Sequence, residues 1–252
     1  VHEMARKRAR HLGGDPWSGY LRRCRREAVE LTGVVYTSIF SPGDTRKNWQ
    51  DLLTGFVAAL GDREDATLVV KLAAADSLWV DRILHYYRTI GLEHRCKVVF
   101  ISDYLSAEQM LALVRGSAYY LTTTRAEGCC LPLLNYLAAG RPGVTPCHSA
   151  IKDYFTPELG FVIQGGTERA FWLQDKRARI KTNWTRLVWP SVVEQIRQSY
   201  EMAKHARPAY ETLAGRCRDR MSRWVGVASV WPRLQAALDL LDENGSSQKR
   251  VA

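Results

Sequence analysis

Residues 122–142 read TTTRAEGCCLPLLNYLAAGRP, and this segment predicts the end of a strand, a glycine turn, a helix and a glycine stop. The residues just before it, 118–122, are apolar and aromatic, as in a buried strand. Gly128 opens the predicted turn, and Pro132 suits the first helical position, where its missing N–H costs nothing. Gly140 and Pro142 then follow at distances typical of a helix end. One face of the helix is predicted to hold Leu131, Leu134, Leu137 and Ala138.

The predicted turn has the chemistry of an anion site. Unpaired N–H groups at a helix start point outward, where the helix dipole favours negative charge, so a phosphate can bind there without side chains. Glu127 stands on the turn and suits the hydroxyls of a neutral polyol better than an anion. Phosphate beside sugar suggests a nucleotide-sugar, and the alternative is an ordinary strand–turn–helix unit. The amides in question belong to Gly128, Cys129, Cys130 and Leu131.

A second segment, YTSIFSPGDTRKNW at residues 36–49, places two cations at the start of another predicted helix. Cations there oppose the helix dipole, which is unfavourable unless an anion lies nearby. We therefore expect Lys47 to contact a pyrophosphate, with Arg46 beside it. The alternative is a solvated cation paired with Asp44.

Together the two segments resemble a known family. Glu127-Gly-Cys-Cys-Leu-Pro-Leu-Leu-Asn135, followed by LAAGRP, is similar to the E-x7-E segment of the retaining, GT-B fold glycosyltransferases of family 4. Residues 36–49 look like the Arg-Lys segment of the same family. The resemblance runs from about residue 34 to residue 241 and covers only the C-terminal, donor-binding half. It implies a nucleotide-sugar donor with no further cofactor, a saccharide or lipid-linked acceptor, and an N-terminal acceptor-binding domain outside this chain.

The resemblance also implies roles for single residues. Glu127 would orient the donor sugar through its hydroxyls, and Lys47 would face the diphosphate. The second Glu of the motif falls on Asn135 and would take hydrogen bonds from the ribose. Asn has one acceptor oxygen and a donor amide in place of two acceptor oxygens, so donor binding is expected to be weaker, altered or lost. Tyr104, after the third predicted strand, is a candidate neighbour of the base, with a plain loop residue as the alternative.

Apolar runs alternate with helical patterns along most of the chain. This alternation predicts an α/β fold, a Rossmann-like doubly wound parallel sheet with helices on both faces and a C-terminal helical segment. We divide the chain into a basic lead-in helix (1–33), a donor-binding domain (34–242) and a disordered tail (243–252). The predicted strands are 34–40, 66–73, 97–102, 118–122, 143–146 and 160–163, and the last helices are 190–207, 209–225 and 230–242.

Net charge and cysteine spacing indicate the kind of partner and the cellular compartment. The 252 residues carry a formal net charge of +10, which favours anionic partners. Six scattered cysteines without zinc-type spacing suit the reducing cytoplasm. The basic lead-in could lie on an anionic membrane at its inner face, with a packed linker helix as the alternative. The chain opens without an ordinary initiator Met, so we expect it to be part of a longer protein.

The sequence has no Asp-x-Asp, Walker or Gly-x-Ser-x-Gly motif. We therefore expect metal-independent transfer in which cations and turn amides stabilise the leaving diphosphate.

The sequence also leaves other functional classes open. One alternative is a binding module that has lost transfer activity. Another is a basic nucleic-acid-binding protein, although no recognition motif for nucleic acid is present. A sugar-nucleotide epimerase of the same fold is a further alternative, and His148 has no catalytic partner placed by the sequence.

Overall fold

The computed structural model describes residues 21–23, 31–73, 77–172, 175–177 and 179–248. A parallel sheet of seven strands lies at its centre, in the order β1-β4-β3-β2-β5-β6-β7. The predicted doubly wound sheet is therefore confirmed. The strands are β1 Leu21–Arg23, β2 Val34–Phe40, β3 Ala66–Leu72, β4 Lys97–Ile101, β5 Tyr119–Leu121, β6 Gly143–Pro146 and β7 Gly160–Ile163.

Seven α-helices surround this sheet in the described part of the chain, and a two-stranded antiparallel hairpin follows it. The helices are α1 Trp49–Leu60, α2 Ser77–Thr89, α3 Ala107–Gly116, α4 Leu131–Ala138, α5 Trp189–His205, α6 Arg207–Val225 and α7 Val227–Gln248. The hairpin consists of β8 Gly165–Arg169 and β9 Asn183–Leu187. Short 3-10 helices lie at Thr45–Lys47, Ser149–Asp153 and Pro157–Leu159.

Both faces of the sheet are covered by helices. Alternate residues of a strand point to opposite faces, so Tyr36 packs with α1 and α5 while its neighbour Val35 packs with Leu113 of α3. A further cluster joins α4 to α6 through Leu133 and Cys217. This double coverage explains why the central strands are almost continuously apolar.

The strand order reverses next to β2. From β2 the chain adds β3 and β4 on one side and then returns to add β5, β6 and β7 on the other. In open α/β sheets, ligands bind outside the carboxyl ends of the strands at such a switch point. The loops that leave β2 and β5 are therefore neighbours at this edge, and they carry Lys47 and Glu127.

Several predictions of local structure need correction. Leu21–Arg23 is an edge strand paired with β4, where a helix was predicted, and the rest of the lead-in, 1–20 and 24–30, lies outside the described residues. From Thr182 onward the sequence pattern predicts helix, but Asn183–Leu187 is a strand, because its pairing with β8 outweighs the weak local pattern. Helix α7 continues to Gln248, so 243–248 of the predicted tail is helical, since propagation adds one hydrogen bond per residue. Residues 249–252 are outside the described part.

The buried face of α4 also differs from the predicted one. Leu131 is 64% exposed, because the helix begins there and this residue stands at its open end. Ala138 is exposed as well. The face that packs on the sheet consists of Leu133, Leu134, Tyr136 and Leu137.

Candidate functional site

Hydrogen bonds join the loop after β2 to the loop after β5. The Arg46 carbonyl accepts from the Arg125 N–H at 2.8 Å and from the Thr124 hydroxyl at 3.3 Å. The Thr123 hydroxyl donates to the Asn48 carbonyl at 2.8 Å. Because the main chains are held together, side chains from two distant sequence segments share one small region.

Lys47 and Glu127 form an ion pair at the centre of this region. Lys47 Nζ lies 2.5 Å from Glu127 Oε1, although the residues are 80 positions apart. The Glu127 side chain is only 6% exposed and that of Lys47 18%. Because the pair is largely shielded from water, each charge depends on the other for much of its stabilisation. The predicted alternative, Lys47 paired with Asp44, is not what the structure shows.

Arg46 occupies a different position from Lys47. Its guanidinium lies 2.7 Å from an oxygen of Asp44 and donates to the Ala126 carbonyl at 2.8 Å, and it approaches Glu127 at 3.5 Å. Arg46 is therefore a fixed positive charge behind the turn. Lys47 has one ion-pair partner among the described residues, and its flexible stem can reach a new one.

The turn after Glu127 carries main-chain donors without partners in the described part of the chain. The N–H groups of Gly128, Cys129, Cys130 and Leu131 have no hydrogen-bond partner among the described residues. Gly128 and Cys129 are exposed. The Tyr154 hydroxyl donates to the Cys129 carbonyl at 2.8 Å and so fixes the direction of this peptide.

The left-handed residue of the turn is Cys130, at φ 57°, and not Gly128. The backbone at Gly128 makes no demand for glycine, and a Cβ added there would meet no heavy atom within 4 Å. The absence of a side chain at Gly128 therefore leaves the neighbouring amides accessible, which suits close approach of a ligand. Burial raises the pKa of the Cys130 thiol to about 12, so this cysteine is a neutral packing residue.

A chain of hydrogen bonds holds Glu127 from the other side. Its N–H donates to Ser149 Oγ at 2.8 Å, and Ser149 Oγ lies 2.9 Å from His148 Nδ1. His148 Nε2 lies 2.7 Å from the Thr124 carbonyl, which can only accept, so Nε2 carries the proton and Nδ1 accepts from Ser149. Burial lowers the pKa of His148, against the opposing effect of that carbonyl, and so favours the neutral ring.

The sequence offered no catalytic partner for His148, and the structure gives it a positioning contact instead. Ser149 and Arg125 are further members of the site that the sequence did not single out. The Arg125 carbonyl accepts from the Thr185 N–H at 2.8 Å, and its guanidinium lies 3.5 Å from Glu168. Only the final fold brings these segments together, so no local signal could have identified them.

Among the described residues, no hydrogen bond links the predicted site residues Asn135 and Tyr104 to the ion pair. Asn135 is exposed on the first turns of α4, on the same side as Leu131, and its side chain makes no hydrogen bond with a described residue. Tyr104 follows β4, which is separated from β2 by β3, and is 91% exposed. It makes no hydrogen bond or ring contact with the described part of the protein. The place of Tyr104 beside the base of a donor stays a prediction.

A small cavity adjoins the site. It has a volume of about 190 Å³ and lies between the carboxyl ends of β6 and β7 and the β8–β9 hairpin. Its lining includes His148, Gly165 and Thr185. Within the described ranges no three His, Cys, Asp or Glu side chains are grouped so as to hold a metal ion. No helix in that same part of the chain is long and apolar enough to span a bilayer.

Comparison with known proteins gives matches in structure only. No family model matches the chain, and neither does any curated protein sequence. The C-terminal domain of the glycosyl transferase group 1 family protein LpcC from Francisella tularensis matches with a TM-score of 0.53 and 15% identity, over 76% of this chain and 86% of that one. This chain therefore shares the fold of that domain.

Two longer proteins match in the same way. The α,α-trehalose 6-phosphate synthase of Burkholderia multivorans gives a TM-score of 0.61 at 12% identity, over 88% of this chain and 45% of that one. HepE from Anabaena, solved in complex with UDP-glucose, gives 0.56 at 11% identity, over 82% of this chain and 49% of that one. The chain thus spans about half of these two proteins. Identities this low show the fold, and the activity has to be argued from the site.

Proposed function

We propose that the chain is the donor-binding half of a retaining, metal-independent glycosyltransferase of the family 4 type. It would act on a nucleotide-sugar donor and a saccharide or lipid-linked acceptor, with the acceptor held by an N-terminal domain outside this chain. One observation carries the proposal. Lys47 and Glu127 meet at the switch point of the sheet, directly beside a row of unpartnered main-chain amides.

Each group has a distinct task in this proposal. The donor diphosphate lies over the amides from Gly128 to Leu131, and Lys47 Nζ moves from Glu127 toward a phosphate oxygen. These donors stabilise the negative charge that grows on the diphosphate as the glycosidic bond breaks. Glu127, released from Lys47, accepts hydrogen bonds from the hydroxyls of the sugar. Arg46 contributes a fixed positive charge from behind the turn. The UDP-glucose bound to the structurally similar HepE supports this class of donor.

Asn135 favours a second candidate, a nucleotide-sugar-binding module without transfer activity. Its exposed amide on α4 stands where the family motif has a carboxylate. Asn135→Glu restores two acceptor oxygens and separates the candidates. If the module binds donor weakly because a carboxylate is missing, the variant binds UDP-glucose more tightly and the full-length protein gains transfer activity. Unchanged affinity would mean that the ribose is held by other groups.

Gly128→Ala tests the proposal without disturbing the fold. The added methyl has open space and an ordinary backbone, so the free energy of unfolding should stay within ~1 kcal/mol of the original or rise slightly. A diphosphate held by these amides has to approach Gly128 closely, and the added methyl would keep it away, so UDP affinity in calorimetric titration should fall about tenfold, or ~1.4 kcal/mol. Gly215→Ala on α6, where a Cβ meets only one atom at 3.9 Å, is the matched control and should bind normally. Equal UDP affinity in both variants would refute the proposed phosphate position.

A further inference from the structure

The β8–β9 hairpin leaves the same edge of the sheet as the candidate site. It follows β7 directly, and its base is closed by the Val188 N–H, which donates to the Gln164 carbonyl at 2.9 Å. Its strands pair from Gly165–Leu187 to Arg169–Asn183. The Thr185 N–H donates to the Arg125 carbonyl, which anchors the hairpin to the turn that precedes Glu127. The hairpin is therefore a fixed projection beside the site.

The outer part of the hairpin has a defined shape. The Trp172 ring packs edge-on against the buried Trp184 ring at 5.3 Å, and its Nε1 donates to the Thr182 hydroxyl at 3.1 Å. The Asp175 carboxylate accepts from the Ile180 N–H at 2.6 Å. These contacts tie Trp172 and Asp175 to residues on the other side of the loop, and the groups exposed beside them make up the surface of the hairpin.

That surface is strongly basic. Residues 165–187 contain only two acids, and both are engaged: Glu168 lies 3.5 Å from Arg125, and Asp175 binds the Ile180 N–H. Six exposed cations stand on the hairpin, and none of them forms an ion pair with a described residue. They are Arg169, Lys176, Arg177, Arg179, Lys181 and Arg186. Unneutralised cations on one hairpin create a positive potential around it.

Two apolar side chains are exposed among these cations. Phe171 is 68% exposed and Ile180 is 46% exposed. Cations next to exposed apolar groups match an anionic lipid surface, in which the cations meet the headgroups and the apolar groups enter the boundary below them. A nucleic-acid surface would instead call for aromatic rings free to stack on bases. Trp172 and Trp184 are packed against each other, which leaves Phe171 as the exposed aromatic ring among the described hairpin residues. One ring beside an exposed aliphatic side chain, Ile180, suits the lipid boundary better than a row of stacked bases.

We propose that this hairpin docks the protein on an anionic membrane surface. The surface differs from the lead-in segment, for which membrane contact was expected from sequence, and the proposal does not depend on donor binding. Docking would turn the carboxyl edge of the sheet, with the Lys47–Glu127 pair, toward the lipid. A lipid-linked acceptor would then be presented on the side where the candidate site opens.

Vesicle sedimentation of the full chain tests the proposal. Vesicles of phosphatidylcholine with 30 mol% phosphatidylserine are compared with pure phosphatidylcholine, at low and high salt. The protein should bind the anionic vesicles, and salt should weaken binding. Each cation near the surface contributes about fivefold to the partition coefficient. The triple variant Arg177→Ala/Arg179→Ala/Lys181→Ala should therefore lose roughly 100-fold.

A charge-matched variant provides the control. Arg216→Ala/Arg220→Ala/Arg223→Ala removes the same net charge from exposed positions on α6 and should bind nearly normally. Phe171→Ser/Ile180→Ser keeps every cation and should lose about tenfold, as expected when an apolar side chain no longer leaves water. Circular dichroism confirms that each variant is folded. Equal losses in both triple variants, retained binding by the hairpin variant, or tighter hairpin-dependent binding to single-stranded RNA than to anionic vesicles would each overturn the proposal.

Discussion

Removing the charges of Lys47 and Glu127 one at a time and together gives a quantitative test of the site. Lys47→Met keeps the length of the side chain and removes its charge. Leaving one member of a buried ion pair alone costs about 3–5 kcal/mol. Here Arg46 remains 3.5 Å from Glu127, and the Lys47 side chain is 18% exposed, so the loss should be smaller. We expect Lys47→Met to lower the free energy of unfolding by about 1–2 kcal/mol.

The partner substitution should cost less. Glu127→Gln leaves Lys47 able to reach water, and Arg46 keeps Asp44 and the Ala126 carbonyl, so about 1 kcal/mol is expected. The double variant has neither charge, so no unpaired charge is left at these two positions, and it should be no less stable than Lys47→Met alone. The coupling energy between the two positions is then about 1 kcal/mol. Urea unfolding followed by tryptophan fluorescence measures all four proteins, and simple additivity of the two single effects would refute the pairing.

The same variants separate stability from donor binding. A lysine that moves to a phosphate makes a charged hydrogen bond worth about 1.5–3 kcal/mol. Lys47→Met should therefore weaken UDP binding about 10- to 100-fold in calorimetry. Glu127→Gln removes a competitor for the Lys47 ammonium and should leave the affinity for UDP intact or slightly higher, while affinity for the sugar-bearing donor falls. Equal UDP affinity in Lys47→Met and the original protein would show that the ammonium does not reach the phosphate.

Two further predictions concern positioning and pH. Ser149→Ala breaks the link between the Glu127 N–H and His148. UDP-glucose binding should weaken about fivefold, and the free energy of unfolding should change by ~1 kcal/mol. UDP alone does not need Glu127 and should bind as before, so an equal loss for both ligands would contradict the assigned role. Burial lowers the pKa of His94 in the folded protein, against the opposing effect of the Cys96 carbonyl, whereas the unfolded ring titrates near ~6.5. Above the pKa of the unfolded ring, the contribution of His94 to the free energy of unfolding should be constant. Between that pKa and the lower pKa of the folded protein, the free energy of unfolding should fall as the pH drops, because only the unfolded ring takes up a proton. His94→Gln should reduce the change of the unfolding free energy with pH, measured by urea titrations at about pH 5 to 8. His148 contributes in the same direction, so some pH dependence should remain in the variant. A pH dependence equal to that of the original protein would refute the role given to His94.

Much of the fold could be predicted because its signals are local. The six strands from β2 to β7 are short apolar runs bounded by turn residues, and α3 begins with a capping box in which Ser106 and Gln109, three residues apart, bond each other's main chain. The meeting of Lys47 and Glu127 followed from order and position. Both come after neighbouring strands at one sheet edge, so a parallel switch point brings them together. The sequence alone therefore indicates that the turn after Glu127 lies near Lys47.

The features that could not be predicted from the sequence depend on contacts between distant segments. Cys130, and not Gly128, takes the left-handed conformation, because the packed Leu133 and Leu134 fix where the helix begins. The Ser149–His148 link to Glu127 crosses 22 residues and needs the end of β6 to lie beside the turn. Strand β9 has a pattern that is too short to distinguish from a helix start, and its partner β8 decides the outcome. None of these features has a period or a motif of its own.

The central claim is that the amides after Glu127 hold a diphosphate, and an NMR titration of the labelled chain with UDP tests it directly. The amide resonances of Gly128, Cys129, Cys130 and Leu131 should show the largest shifts and saturate together with one dissociation constant. The Lys47 side chain should respond at the same UDP concentrations. Saturable binding whose largest shifts lie elsewhere, or no shift of these four amides at millimolar UDP, would contradict the account.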